Sequence, residues 1–430
     1  MEVKPAASQA IPTDRFDQVD TVPESPGVYS VPKEERVPLS APLIAMIVTT
    51  NSAIAGSLGS YGVGAALVGP KGELYATSQN HVVKDGEIAD PTAHGERQLV
   101  DWYFAQKAKG EALPSAEKMT VVSSLDPCIM CAGSILASGM NVVSLSQDPG
   151  AGVDYLGDGS FVSLPKKLQK EAKEHFSYFG VENESPFVGK NPLFQGSQLY
   201  KNAVTLAESD FTSSVPEVSA AFAKLEVSAE DALDPKALKA TPQGISILER
   251  AQKSAQDVLF HRLADPREPD IVVVEKLRSL AANAKAEGND YNAAVLVGPF
   301  GDVLLSASGK ESVSPIRTPV FELSRAYNKL RNTVGEEGKH YFPPFSQCRM
   351  VTLQGPSPNG VGIAEIGSFC SSAKGGFAEG SDRHWQYLVK RQSPQQLKEL
   401  IDNLPPRYSV ERRPDIGQAA IAQTAPKTAS

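Results

Sequence analysis

The chain is 430 residues long, 41% hydrophobic and 21% charged, the composition of an ordinary soluble globular protein with length enough for two or three domains. Its formal net charge of −8 argues against a broad basic footprint for nucleic acid and favours a small diffusible substrate, although a local basic groove can hide in an acidic total. Four cysteines, two of them in one C-x-x-C, do not suggest a disulfide framework and fit a reducing compartment. The start Met1-Glu2-Val3-Lys4-Pro5 shows no basic region followed by an apolar run, and no apolar stretch approaches the roughly 20 residues of a membrane helix, so a cytoplasmic protein without a membrane partner is expected.

In chain order, residues 1–40 carry Pro5, Pro12, Pro23, Pro26, Pro32 and Pro38, which prevent a long helix and predict an extended or disordered arm. Residues 42–56 have helix-compatible composition. Residues 62–77 then read as strand, Gly69-Pro70-Lys71-Gly72 turn and strand, a β-hairpin. Asn80 and a polar loop with Lys84-Asp85-Gly86 lead to Pro91-Thr92-Ala93-His94-Gly95-Glu96, which opens a helix through Leu99, Val100, Trp102, Tyr103 and Phe104. Residues 119–125 read as an apolar strand followed by Asp126-Pro127-Cys128-Ile129-Met130-Cys131, with a helix over 132–137 and a strand over 142–145. The expected order is α-β-β-α-β-α-β.

His94, Cys128 and Cys131 offer three ligands for Zn²⁺, and a tetrahedral ion with three protein ligands keeps a position open for water or substrate, as catalytic sites do. Both motifs stand at helix starts, where positive dipole ends favour the thiolates. Glu96 is then placed to move a proton from a water whose pKa the metal lowers to about 7, and to return it to a leaving amine. A closed structural zinc site needs a fourth protein ligand. Cys348 and Cys370 lie in the other half of the chain, His81 is the remaining candidate, and this reading leaves Glu96 unexplained. His175, His261, His340 and His384 show no ligand spacing among themselves, so surface or core roles are expected for them.

H-x-E followed by P-C-x-x-C is the signature of zinc nucleobase deaminases. With the hairpin at 62–77, Asn80, Asp90 to Glu96, Ser124 to Gly133 and Val142-Val143 in that order, residues 41–180 resemble the cytidine deaminase superfamily. The likeness is strongest to the branch holding tRNA adenosine deaminase, guanine deaminase and fungal cytosine deaminase, where C-x-M-C is usual. The resemblance implies an α/β fold, a three-layer α-β-α sandwich with a mixed sheet. It also implies one Zn²⁺ per chain held by His94, Cys128 and Cys131, Glu96 as proton shuttle, and substrate contacts from Asn80 and the backbone around Ala93 and Cys128. The implied reaction is attack of zinc hydroxide on an amine-bearing ring carbon with release of ammonia. Gly95 replaces the alanine common in the tRNA enzymes and matches the fungal cytosine deaminase pattern, and Asp126 stands where glutamate or serine is frequent; neither identifies the base. The loop 148–161, with Gly150, Gly152, Gly157 and Gly159, and a helix over 166–179 take the place where relatives close the pocket. Phe176, Tyr178 and Phe179 are expected in the core rather than stacked on a base.

Residues 183–265 read as a partly helical connector, broken by Pro186, Pro192, Thr212-Ser213-Ser214 and Pro216 and helix-forming over 220–233 and 245–263. It either covers the first domain or meets a partner. Beyond it, Ala294-Val295-Leu296-Val297-Gly298-Pro299-Phe300-Gly301-Asp302-Val303-Leu304 repeats the hairpin Ala65 to Tyr75. In that register Val320 replaces His94, Ser357 replaces Cys128, Gly360 replaces Cys131 and Gly309 replaces Asn80. The fold is therefore expected twice in tandem: a catalytic domain at 41–182, a degenerate metal-free one at 266–400, and a loose tail at 401–430. The second copy would make an intrachain pseudo-dimer that shields an apolar face, with homodimerisation left open, or would supply a gating element from Gly375-Gly376-Phe377 or Arg383-His384-Trp385. The expected function is hydrolytic deamination of a free nucleobase, nucleoside or nucleotide. The alternatives are editing of adenosine or cytidine in RNA (tRNA) or in DNA, and a non-catalytic zinc-stabilised scaffold; nucleic acid is the less favoured partner.

Overall fold

A computed structural model describes residues 25–178, 201–255, 257–373, 384–389 and 399–408. The expectations for Pro5, Pro12, Pro23, Phe179, Pro186, Pro192, Gly375-Gly376-Phe377, Arg383 and the tail beyond residue 408 lie outside the described residues.

The first half runs β1 (Val28–Ser30), α1 (Ala41–Ser57), β2 (Gly64–Val68), β3 (Leu74–Gln79), β4 (Val83–Lys84), β5 (Glu87–Ile88), α2 (Gly95–Ala108), β6 (Thr120–Leu125), α3 (Ile129–Ser138), β7 (Asn141–Ser146), α4 (Lys166–His175) and β8 (Phe176–Tyr178). Six strands form one sheet in the order β1-β3-β2-β6-β7-β8, parallel from β6 to β8 and antiparallel elsewhere. The expected α-β-β-α-β-α-β order is present, with the short β4–β5 ribbon inserted before α2. Successive side chains of a strand face opposite ways, and each central strand feeds two cores. Ala65, Leu67, Val121 and Val142 pack with Leu99, Trp102, Ile129 and Ile135 of α2 and α3. Ala66, Val68, Val122 and Val143 pack with Ile44, Ala45 and Val48 of α1. The result is the three-layer α-β-α sandwich with a mixed sheet.

The end of the N-terminal arm takes the extended form, as an edge strand with Tyr29 opposite Thr77. Two expectations are corrected here. The helix from 166 stops at His175, because Phe176 turns to φ −100°, ψ 138° and enters the sheet beside β7. Residues 212–216 do not break the connector: α5 (Lys201–Ala223) runs through Pro216. A proline there removes one helix hydrogen bond, and the Ser213 and Ser214 hydroxyls donate to the carbonyls of Asp210 (3.1 Å) and Phe211 (2.6 Å) just upstream. This helix covers the first domain, with Asp210 accepting from the Ser52 hydroxyl at 2.6 Å and Ser214 from the Gly62 N–H at 2.8 Å.

The chain continues through α6 (Pro242–Ser254), α7 (Ile271–Ala286), β9 (Ala293–Val297), β10 (Val303–Ser308), α8 (Pro319–Lys339), β11 (Arg349–Gln354), α9 (Gly360–Ser372) and β12 (Trp385–Val389). The second sheet, β10-β9-β11-β12, repeats the pairing of the first: Ala293 faces Ser308 as Gly64 faces Gln79, and Leu296 faces Met350 as Leu67 faces Val121. Register on the strands thus follows the sequence repeat. The helix starts do not. Pro319 at the first helical position makes Thr318, rather than Val320, the N-cap residue matching His94. Asn359 caps α9 by accepting from Gly362 N at 2.9 Å, so it, rather than Ser357, matches Cys128.

The halves meet along α3 and α9. A Cβ on Gly133 would lie 2.3 Å from Ala364 N, one on Gly360 2.6 Å from Ala137 N, and one on Gly367 2.2 Å from Met130 N. Only glycines allow backbones this close, and the first core continues across the contact through Ile363, Ile366 and Phe369. The metal-motif helix is therefore seated against the second half.

Candidate active site

The two motifs converge because each ends a loop at a helix start. His94 is the N-cap residue of α2 and Cys128 that of α3, both in extended conformation, with Cys131 in the first turn of α3. His94 Nδ1 lies 3.4 Å from Cys128 Sγ, and the three ligand atoms of His94, Cys128 and Cys131 all lie within 4.8 Å of one another. Bonds of about 2.1 Å to nitrogen and 2.3 Å to sulfur give tetrahedral edges of about 3.6–3.8 Å, so this donor set fits a zinc ion. Among the described residues no other such cluster occurs, and His81 stands outside this one. Cys128 is held well below the usual thiol range by the Cys131 hydrogen bond and the His94 charge against burial, while burial pushes Cys131 well up.

Glu96 is buried beside the cluster, its Oε1 accepting from the Ser123 hydroxyl at 2.8 Å. Burial and the charge of Cys128 raise its pKa, which suits a group that must accept and give back a proton. Asn80 Oδ1 accepts from Gly95 N at 2.6 Å, which fixes the amide, and Asn80 lines the cavity. Cys128 also lines that cavity. Ala93 is fully buried, and its carbonyl accepts from His81 N at 2.8 Å and Gln98 Nε2 at 3.0 Å.

Asp126 carries structure: its Oδ1 accepts from the Tyr178 hydroxyl at 2.5 Å and its Oδ2 from Asp154 N at 2.9 Å. A Cβ on Gly152 would lie 2.1 Å from that Oδ2, so the glycine loop 148–161 can close only over a residue without a side chain there. Phe176 packs edge-on against Phe161 at 5.6 Å and is fully buried, the core role expected. His175, His261, His340 and His384 have structural partners in Asn141, Asp270, the Asp231 carbonyl and the Cys348 carbonyl.

The cavity over the cluster measures about 90 Å³, and much of its wall comes from residues that no motif marks. Tyr61 precedes the hairpin, Phe211 and Phe222 come from α5, Cys370 and Ser371 from α9, and Arg407 and Tyr408 from a 3₁₀ turn at Pro406–Tyr408. The expected loose tail is thus docked at its first residues. Arg407 N donates to Gly150 O at 3.0 Å, and the buried Tyr408 lines the cavity together with Cys128. Of the proposed gating residues, Trp385 belongs instead to the second sheet, where it is buried and donates to Thr352 at 3.1 Å, and His384 just before that strand is held at the Cys348 carbonyl, 2.9 Å away. Helix α8 steadies the loop entering the site: Arg325 pairs with Asp90 at 2.9 Å, and Asn328 and Asn332 each donate to Ile88 O at 2.7 Å.

At the matching place in the second half stand Gly309, Thr318, Asn359 and Gly362. A Cβ on Gly309 would sit 2.1 Å from the Glu311 carboxylate, which fills the space an asparagine would need. Glu322 is tied by both oxygens to Arg317, at 2.9 and 3.1 Å.

Residues 43–147 match the family described as the cytidine and deoxycytidylate deaminase zinc-binding region. Among solved structures the chain is similar to a tRNA:A34 deaminase studied for A-to-I editing at the wobble position of transfer RNA, at 27% identity over 26% of this chain and 80% of that one, with a TM-score of 0.21. It is also similar to guanine deaminase from Nitrosomonas europaea, at 16% identity over 42% of this chain and 94% of that one, with a TM-score of 0.26. Superpositions this loose bear on neither substrate nor mechanism. Comparison with curated proteins gave no match. The stretch 43–147, which spans nearly all of α1 through β7 and holds His94, Cys128 and Cys131, belongs to the cytidine deaminase superfamily.

Proposed function

We propose that the chain is a zinc-dependent hydrolytic deaminase of a nucleobase, nucleoside or nucleotide. The observation that carries this reading is a His/Cys/Cys donor set with a buried, non-ligand carboxylate beside it, of which His94, Cys128 and Glu96 line one cavity. His94 Nδ1 and the Cys128 and Cys131 sulfurs would hold the ion, which would supply a water of lowered pKa. Glu96 takes the proton released as water adds across the amine-bearing C=N bond and gives it to the ring nitrogen, then carries the proton of the added hydroxyl to the amine. The C–N bond breaks, ammonia leaves, and a ring carbonyl beside a ring N–H remains. Ser123 holds one oxygen of Glu96, so the other is the one that moves the proton. Asn80, steadied by the Gly95 N–H, orients the ring through its amide, and the Tyr61, Phe211 and Phe222 rings exclude water around it.

The net charge of −8 supports a small molecule over a polynucleotide as substrate. The second half, without a metal cluster among its described residues, acts as a fixed partner for α3, an intrachain pseudo-dimer. The test is a screen of purified zinc-loaded protein against bases, nucleosides, nucleotides and tRNA, read as ammonia released. Glu96→Gln is expected to retain zinc and lose about 10²- to 10⁴-fold in rate. Absence of ammonia from every compound with zinc bound would sink the proposal.

A further inference from the structure

Of the residues lining the cavity, Arg407 alone carries a permanent positive charge. It is anchored with some care. Its backbone N–H donates to Gly150 O at 3.0 Å, its guanidinium lies 4.8 Å over the Tyr61 ring, and one nitrogen donates to the Tyr61 hydroxyl. Tyr61 in turn stands edge-on to the His94 ring, with centroids 6.2 Å apart. The cation is therefore held one aromatic ring away from the metal cluster, yet its side chain remains exposed to solvent.

A guanidinium offers five N–H donors, and the Tyr61 hydroxyl takes one. The acids on the cavity wall are engaged elsewhere. Asp126 accepts from Tyr178 and Asp154, and Asp148, whose charge does act on Arg407, accepts from Gly150 N at 2.8 Å and Ala151 N at 3.0 Å. Among the described residues no carboxylate stands within ion-pair distance of Arg407. Val63, Leu125, Phe211 and Phe222 give the same cavity apolar wall suited to a flat ring. Apolar wall for a ring together with a guanidinium that has no ion-pair partner among the described residues matches a ligand that carries both a base and an anionic group.

We propose that Arg407 binds the phosphate of a nucleoside monophosphate, which makes this, rather than a free base or nucleoside, the substrate class of the site; the chemistry rests on the deaminase reading above. Guanidinium and phosphate pair through two parallel hydrogen bonds, a geometry lysine cannot supply. The residue that selects the substrate thus comes from the far end of the chain, some 280 residues after the metal motif by the numbering of Cys128 and Arg407.

The test is calorimetric titration of the zinc-loaded full chain with CMP, dCMP, AMP and GMP, each beside its own nucleoside, and in parallel with a short single-stranded oligonucleotide. At least one monophosphate is expected to bind about 10- to 100-fold more tightly than its nucleoside, as a charge-assisted contact allows. Arg407→Gln is expected to bring the two within a few-fold of each other, and Arg407→Lys to keep part of the gap. Loosening of the turn alone would weaken both ligands and leave their ratio intact, which overturns the proposal. So does tighter binding of the oligonucleotide than of any monophosphate, or equal binding of nucleoside and monophosphate by the unaltered protein. Ammonia release on the same compounds separates the two readings. An Arg407-dependent phosphate preference without ammonia refutes the deaminase reading and leaves the binding site standing. Ammonia released with no such preference does the reverse.

Discussion

The α3–α9 contact makes a sharp prediction because one substitution should change sign with its place. Gly133→Ala puts a methyl 2.3 Å from Ala364 N and 2.7 Å from Gly360 O, all backbone atoms with no side chain to swing aside. An ordinary contact needs about 1 Å more, so the helices must separate by about that much, and overpacking of this kind costs about 1–3 kcal/mol. The gain of alanine over glycine inside a helix, about 1 kcal/mol, offsets part of it. Gly56→Ala, inside α1, meets nothing closer than 3.9 Å and should keep the whole helix gain. Thermal unfolding followed by circular dichroism is the assay, at about 2–4 °C per kcal/mol for a domain of this size. Gly133→Ala should melt several degrees below the unaltered protein and Gly56→Ala at or above it. Because α3 carries Cys128 at its cap and Cys131 in its first turn, the first variant should also purify with less zinc. A Gly133→Ala protein as stable as Gly56→Ala would refute the claim that the halves pack backbone to backbone.

Cys131→Ala should lose bound zinc, measured by metal analysis, since two ligands hold the ion far more weakly than three. Arg325→Ala leaves Asp90 without its ion-pair partner; side chains only 18% and 14% exposed place the pair near the buried regime, and a loss of about 3 kcal/mol is expected in denaturant melts. The pH dependence of stability should show Glu311, whose carboxyl burial pushes up to about 7. A raised folded pKa means the neutral acid is favoured in the fold, so the stabilisation is full below the unfolded value of about 4.3 and disappears as pH rises through about 7. Glu311→Gln mimics the neutral acid, so its melting temperature relative to the unaltered protein should climb between pH 5 and pH 8; a constant difference would contradict this.

What could be read from the sequence was what is written locally. Apolar runs on either side of Gly69-Pro70-Lys71-Gly72 specify a hairpin because glycine at position 72 takes φ +89°, and the same punctuation around Gly298 and Gly301 predicted the second one. The His94, Glu96, Cys128 and Cys131 constellation was legible because metal chemistry demands particular side chains at helix starts. Two misplaced helix starts were also locally written: Pro319 belongs at a first helical position and Asn359 is a good cap for Gly362, and both outrank a register carried over from the strands. The cavity wall is a different matter. Phe211, Phe222, Arg407 and Tyr408 lie in stretches whose local composition reads as connector or tail, and their place is set by tertiary contacts: Ser52 to Asp210, Gly62 to Ser214, Arg407 to Gly150. On the proposed deaminase reading, the residues assigned to the bond-breaking sit where local geometry is strict, while those assigned to substrate choice sit on surfaces brought together by packing. Within one superfamily the first group can therefore stay fixed while the second varies, and the identity of the base has to be sought in the wall rather than in the motif.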